Sequence, residues 1–194
     1  MRLSFLIIAI LISSCGQMFE DTETLTSSAA VRARVNSLTN DDMKLAEKIK
    51  PFVGNFLTVQ ETVNWKKKNP RDGQSSLDSY INSSEFDRII YDREQYIYRN
   101  YTLYFESKAN IKNLTGEGYI GVCWRDIKTI AVQKEWWDSV SEDWKKILIL
   151  HELGHCYLKR SHETKKRSVM ESVLIYPSEY NDDKDYYDKE LFGM

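Results

Sequence analysis

The apolar positions along the chain fall into blocks of different period. Leu3 to Ile12 is an unbroken apolar run behind the basic start Met1-Arg2. A bilayer span takes about 20 apolar residues, so the run reads instead as a secretory signal over residues 1–14. Gly16 to Asn40 is rich in Ser, Thr and acids without periodicity, which predicts a flexible tether. From Asp41 a folded domain begins and extends to Met194. Met43, Leu45, Ile49 and Phe52 recur at helical spacing, with Asp41 or Asp42 near the start and Pro51 marking a kink or a restart. Residues 66–80 pass from Lys66-Lys67-Lys68 through Asn69-Pro70-Arg71-Asp72-Gly73 to a Ser pair, and this turn chemistry predicts a polar loop. Ile89-Ile90-Tyr91, Tyr96 to Phe105, Tyr119 to Trp124 and Thr129 to Val132 are β-branched and aromatic, and predict strands.

The clearest helix follows. Ser139-Val140-Ser141-Glu142 fits a capping box with Ser139 at the N-cap. Trp144, Ile147, Leu148, His151, His155 and Leu158 then share one face, and Ile149, Leu150, Leu153, Cys156 and Tyr157 make the rest apolar too. A helix apolar nearly all round is buried. Strands ahead of such a helix predict a single α+β domain. The acidic stretch Glu179 to Glu190, with Tyr186, Tyr187, Leu191 and Phe192 beside it, predicts a C-terminal helix packed back on that domain.

Composition narrows the classes. The chain has 194 residues, 42% of them hydrophobic, which suits a real core. With 27 Lys+Arg against 29 Asp+Glu the net charge is −2, so the basic excess of a nucleic-acid binder is missing and no nucleic-acid partner is expected. A monomer is the expected state. Three Pro and 8 Gly exclude a collagenous or low-complexity chain.

Of the three Cys, Cys15 ends the stretch Ile12-Ser13-Ser14-Cys15. An apolar residue, two small residues and Cys behind an apolar run resemble the lipobox of bacterial lipoproteins. The resemblance implies cleavage before Cys15, lipidation of its thiol and a lipid-anchored envelope protein. Gly16 in place of Asp points to the outer membrane, facing the periplasm or the cell surface. Cys123 and Cys156 remain; a secreted compartment permits a disulfide between them, and two buried free thiols are the alternative.

A buried helix carrying His151, Glu152 and His155 needs an explanation, since unpaired polar groups in a core cost several kcal/mol, roughly. His151-Glu152-Leu153-Gly154-His155 is H-E-x-x-H. Four residues are slightly more than one helical turn, so both imidazoles project side by side and one Zn²⁺ can take both at about 2.0–2.1 Å. Glu152 points roughly 100° around and can act as base on a metal-bound water without being a ligand. Only three His occur in the chain, and His162 is the third. On a straight helix it would lie about 10.5 Å beyond His155 along the axis. Ligands of one tetrahedral ion lie roughly 3–4 Å apart, so His162 is a ligand only if the helix ends and the chain turns back.

His151 to His155, followed by His162 and then Ser168-Val169-Met170, is similar to the zinc-binding stretch of metzincin-type metallopeptidases, H-E-x-x-H-x-x-G-x-x-H with a Met-containing turn beyond it. The resemblance implies His151, His155 and His162 as ligands, Glu152 as catalytic base, Met170 beneath the metal, and hydrolysis of peptides or proteins in a zincin fold with a mixed, twisted sheet and a small C-terminal subdomain. The chain departs twice: Leu158 stands where the pattern has Gly, and six residues rather than five precede His162.

Other readings stand beside these. Glu163, Glu171 or Glu179 is the alternative third ligand, and Tyr176 and Tyr180 are further polar candidates. Met170 is otherwise core filler. Tyr119 to Trp124 is either an edge strand above the cleft or an ordinary strand. Trp136, Trp137 and Trp144 read as packing aromatics. Lys159, Arg160, Lys165, Lys166 and Arg167 read as a solvated loop. The competing class is a non-catalytic envelope lipoprotein with a structural or degenerate zinc site, against which Glu152 argues, because a structural site needs no such carboxylate.

Overall fold

The computed structural model describes residues 23–164 and 167–193, with side chains from Ser28 onward. The signal segment and Cys15 lie outside the described residues. Helix α1 (Glu23–Asn36) leads through a 3-10 turn (Asp42–Lys44) into α2 (Leu45–Lys68), α3 (Gln74–Ile81) and α4 (Ser84–Asn100). Strand β1 (Thr102–Glu106), helix α5 (Lys108–Thr115), and strands β2 (Gly121–Trp124) and β3 (Thr129–Gln133) follow. Helices α6 (Lys134–Ser139), α7 (Glu142–Cys156), α8 (Pro177–Asp182) and α9 (Lys184–Leu191) complete a mixed α+β chain.

The sheet is small and mixed, in the order β1-β3-β2. β1 runs parallel to β3, pairing Thr102 with Thr129, and β2 runs antiparallel to it, pairing Gly121 with Val132. Alternate residues face opposite sides of a strand, and both sides are covered. Leu103, Phe105, Cys123, Ile130 and Val132 join the main core with Leu45, Ile49, Val53, Phe56 and Leu57 of α2 and with α7. Tyr104, Val122, Trp124 and Ala131 pack with Val31 of α1 on the other side. Ser28 Oγ donates to Asp126 at 2.7 Å and Arg34 pairs with Glu106 at 2.6 Å, so α1 is fastened to this layer. Among the described residues no helix is long and apolar enough to cross a membrane.

Several local expectations change. Residues 23–36, read as tether, are helix α1. The strands expected over Ile89–Tyr91 and from Tyr96 to Asn100 are the helix α4. Among its buried and half-buried positions, Phe86, Ile89, Ile90, Arg93, Glu94, Ile97 and Tyr98 follow the helical period, and Ser83 caps its start by accepting from Phe86 N–H. That period overrides the local β preference of Ile and Tyr. The polar loop shrinks to the turn between Lys68 and Gln74, and Pro51 lies within a continuous α2. The capping box is displaced: α7 begins at Glu142 with Ser141 at the N-cap, while Ser139 closes α6 and donates to the Trp136 carbonyl. The C-terminal helix is split into α8 and α9 at Asp183. Trp137 is core, packed edge-on against Phe52 and Phe105.

Candidate metal centre

Helix α7 is buried from Ile147 to its end, so its polar residues are held by packing on all sides. His151 and Glu152 are fully buried and His155 nearly so. At the C-terminal end the chain does turn back. Leu158 N–H bonds to the Leu153 carbonyl at 3.1 Å and Arg160 N–H to the Gly154 carbonyl at 2.9 Å, with Lys159 between them in the left-handed region at φ 59°. The Leu158 bond spans five residues, as the outer bond of the common Schellman ending does, and the Arg160 bond spans six. Lys159, three positions before His162, takes the left-handed place that a helix ending usually gives to Gly.

This turn brings the third imidazole home. His155 Nε2 lies 3.0 Å from His151 Nε2 and 3.1 Å from His162 Nε2. The three histidines form a group that could hold a metal ion, with one donor atom from each within 4.8 Å of the others. Ring orientation shows why an ion fits. His151 Nδ1 faces the Val169 carbonyl at 2.7 Å, and His155 Nδ1 faces the Arg160 carbonyl at 2.7 Å. A carbonyl only accepts, so His151 Nδ1 carries the proton and its Nε2 a lone pair. His155 Nδ1 also lies 3.2 Å from the Arg125 guanidinium, and the shorter contact to the Arg160 carbonyl assigns it the same tautomer. Two lone pairs 3.0 Å apart repel unless a cation takes both. Nitrogens of one tetrahedral zinc sit at about this separation, given Zn–N bonds of about 2.0–2.1 Å. Carbonyl acceptors such as those behind these two rings are also usual outer-shell partners of metal-binding histidines.

The rings are kept neutral by their surroundings. Burial holds His151 well below the ordinary imidazole value, with the neighbouring His155 adding to it. Burial likewise pushes His155 down to about 4, and it lowers His162, where the Arg125 guanidinium adds to the effect. Arg125 donates to the same Arg160 carbonyl that His155 uses.

Glu152 packs against the start of β2: a Cβ on Gly121 would stand 2.6 Å from Glu152 Oε1 and 2.8 Å from Leu148. The glycine is what lets the carboxylate approach the strand. β2 is an edge of the sheet among the described residues, and its four residues are all buried. Met170 is fully buried and lies under Gly154. Its N–H bonds to Ser168 Oγ at 2.9 Å, and its carbonyl accepts from Glu163 N–H at 2.8 Å. A disulfide joins Cys123 of β2 to Cys156 at the end of α7, with Cα atoms 5.7 Å apart. Glu171 and Glu179 bond elsewhere, Glu171 to Ser168 N–H and Glu179 to Tyr187. Tyr180 donates to Asp188.

Residues that carry no sequence signal complete the surroundings. Arg160, read as solvated, pairs with the buried Glu190, and Arg167 pairs with Asp183; Lys165 and Lys166 lie outside the described residues. No protein-family model, curated protein or solved structure matches the chain.

Proposed function

We propose that the chain is a zinc-dependent peptidase held at the cell envelope by a lipid on Cys15. The observation that carries this reading is the convergence of His151, His155 and His162 Nε2 atoms, with two lone pairs fixed by backbone carbonyls, on the helix that also carries the fully buried Glu152. When bound, Zn²⁺ supplies Lewis-acid polarisation of a carbonyl and acidifies water to a pKa of about 7. His151, His155 and His162 would hold it. Three protein donors leave a fourth position for chemistry, where a structural site takes four. Glu152 takes the proton of the attacking water and delivers it to the leaving amine as the peptide bond breaks. The resemblance of residues 151–170 to the metzincin pattern, and Met170 beneath Gly154, support the same reading.

The test is Glu152→Gln assayed for zinc content and for hydrolysis of a peptide library. One zinc per chain with turnover reduced by about 10²–10⁴-fold is expected. Undiminished turnover in that variant removes the mechanism, and wild-type protein that takes up no zinc removes the reading.

A further inference from the structure

Both carbonyls that orient the metal-site rings are tied to one side chain far away in sequence. Glu190, in the last turn of α9, is 6% exposed. Its Oε1 accepts from Arg160 Nη2, and its own backbone carbonyl accepts from Arg160 Nη1 at 2.8 Å. Arg160 supplies the carbonyl that holds His155 Nδ1. The other oxygen, Oε2, accepts from Ser168 Oγ at 2.6 Å. Ser168 Oγ accepts in turn from Met170 N–H, which sets the turn whose Val169 carbonyl holds His151 Nδ1.

We propose that Glu190 is a positioning residue for the metal centre: its carboxylate clamps Arg160 and Ser168 together, and so fixes the carbonyls that aim the His155 and His151 rings. The proposal rests on the zinc reading above. Its logic is geometric. A hydroxyl has one proton, and Ser168 gives it to Glu190 while its lone pair serves Met170 N–H, so the turn has a defined orientation only with an acceptor at Glu190. Metal-site histidines commonly donate straight to a carboxylate; here the carboxylate acts one backbone step removed, on two rings at once. Ligands must be held to within about 0.5 Å for a productive site. The α9 helix thereby becomes part of the site although no atom of it faces the Nε2 cluster in the contacts above.

The experiment measures Zn²⁺ affinity by chelator competition, and the visible absorption of the Co²⁺-loaded full chain, in wild type, Glu190→Gln and Glu61→Gln. Glu61 is the control: it is equally buried, pairs with Arg93 at 2.8 Å and accepts from Tyr80 at 2.8 Å, on helix α2. Glu190→Gln is expected to weaken Zn²⁺ binding about 10–100-fold and to shift the Co²⁺ bands, while Glu61→Gln lowers thermal stability and changes neither. Wild-type affinity and spectrum in Glu190→Gln overturn the positioning role alone. An equal loss in Glu61→Gln also overturns it, because the effect is then global stability. No metal uptake by wild type overturns the zinc reading as well. If Glu190→Gln does not fold, Ser168→Ala, which opens only one arm of the clamp, is read by the same measurements and the same criteria.

Discussion

Gly154 and Met170 occupy one space: a Cβ at position 154 would overlap the Met170 sulfur, with Leu191 closing the far side. The residue before His155 is therefore glycine because the Met170 side chain comes up against the helix backbone. Met170 is fully buried and has little room to withdraw. Gly154→Ala gains up to about 1 kcal/mol of helix propensity but overpacks the contact at about 1–3 kcal/mol. A net loss of stability is expected in thermal denaturation, and Met170→Ala in the same chain should relieve part of it. A raised melting temperature in Gly154→Ala would show that the sulfur yields freely.

His162 stands apart from its two partners in being only half-buried. His162→Ala should weaken Zn²⁺ binding by more than the 10–100-fold typical of an outer-shell change, while moving the stability of the metal-free protein by only about 0.5 kcal/mol. With three His in the chain, none is left to replace it. Chelator competition checks the affinity and urea denaturation the stability. Unchanged affinity would mean that two imidazoles and a residue other than His162 make the site.

Lys159 at φ 59° bears the conformational cost of the closing turn. A non-glycine residue there costs roughly 1–2 kcal/mol, partly offset by the smaller unfolded-state entropy of Lys relative to Gly. Lys159→Gly is expected to raise stability by about 0.5–1 kcal/mol and to leave zinc affinity unchanged. Lys159→Val, β-branched in a left-handed site, should lower both stability and affinity. Equal stabilities for the two variants would refute the strained-turn account.

What could be read from residue order follows from the range of the forces involved. The His151–His155 pair is legible because helical spacing alone places four-apart side chains together, and the apolar neighbours of α7 announce burial. The return of His162 was expressible only as a condition, since it depends on hydrogen bonds from Leu158 and Arg160 that no pattern announces. The strands expected at Ile89, Ile90 and Tyr96 follow from local β preference, whereas the deciding signal is that Phe86, Ile90 and Ile97 share one face of a helix that packs on α2. Glu190 looked like one acid in an acidic tail. Its role arises from contacts with Arg160 and Ser168, 30 and 22 residues away, and no local pattern encodes such a distance.

The histidine pKa values set a pH window. His155 is lowered from the ordinary 6.5 to about 4, and His151 and His162 are lowered too. The unfolded chain therefore binds more protons than the native one below pH 6.5, so the stability of the metal-free protein is full above that value and falls as pH drops toward about 4. His155 alone accounts for about 3 kcal/mol over that window. Asp42, Asp138 and Asp185 are lowered below their ordinary 3.8 and act at more acid pH. Urea midpoints at pH 7.5 and 4.5 test this, and equal midpoints would contradict buried neutral rings. Bound zinc should deepen the loss, because protons and metal compete for the same lone pairs.

The disulfide ties the edge strand β2 to helix α7, since Cys123 lies in β2 and Cys156 directly follows His155. The two lie 33 positions apart in sequence. Closing a loop of that length lowers the entropy of the unfolded chain by an amount worth about 3–4 kcal/mol. Cys123→Ala with Cys156→Ala should lose roughly that much in urea denaturation, with the small side chains filling positions that are 7% and 2% exposed. The zinc-loaded form should recover part of the loss, because metal binding to His155 favours the same helix end. A double variant as stable as wild type would mean that packing between β2 and α7 suffices. In that case the β2 edge would keep its place beside Glu152 without the covalent link.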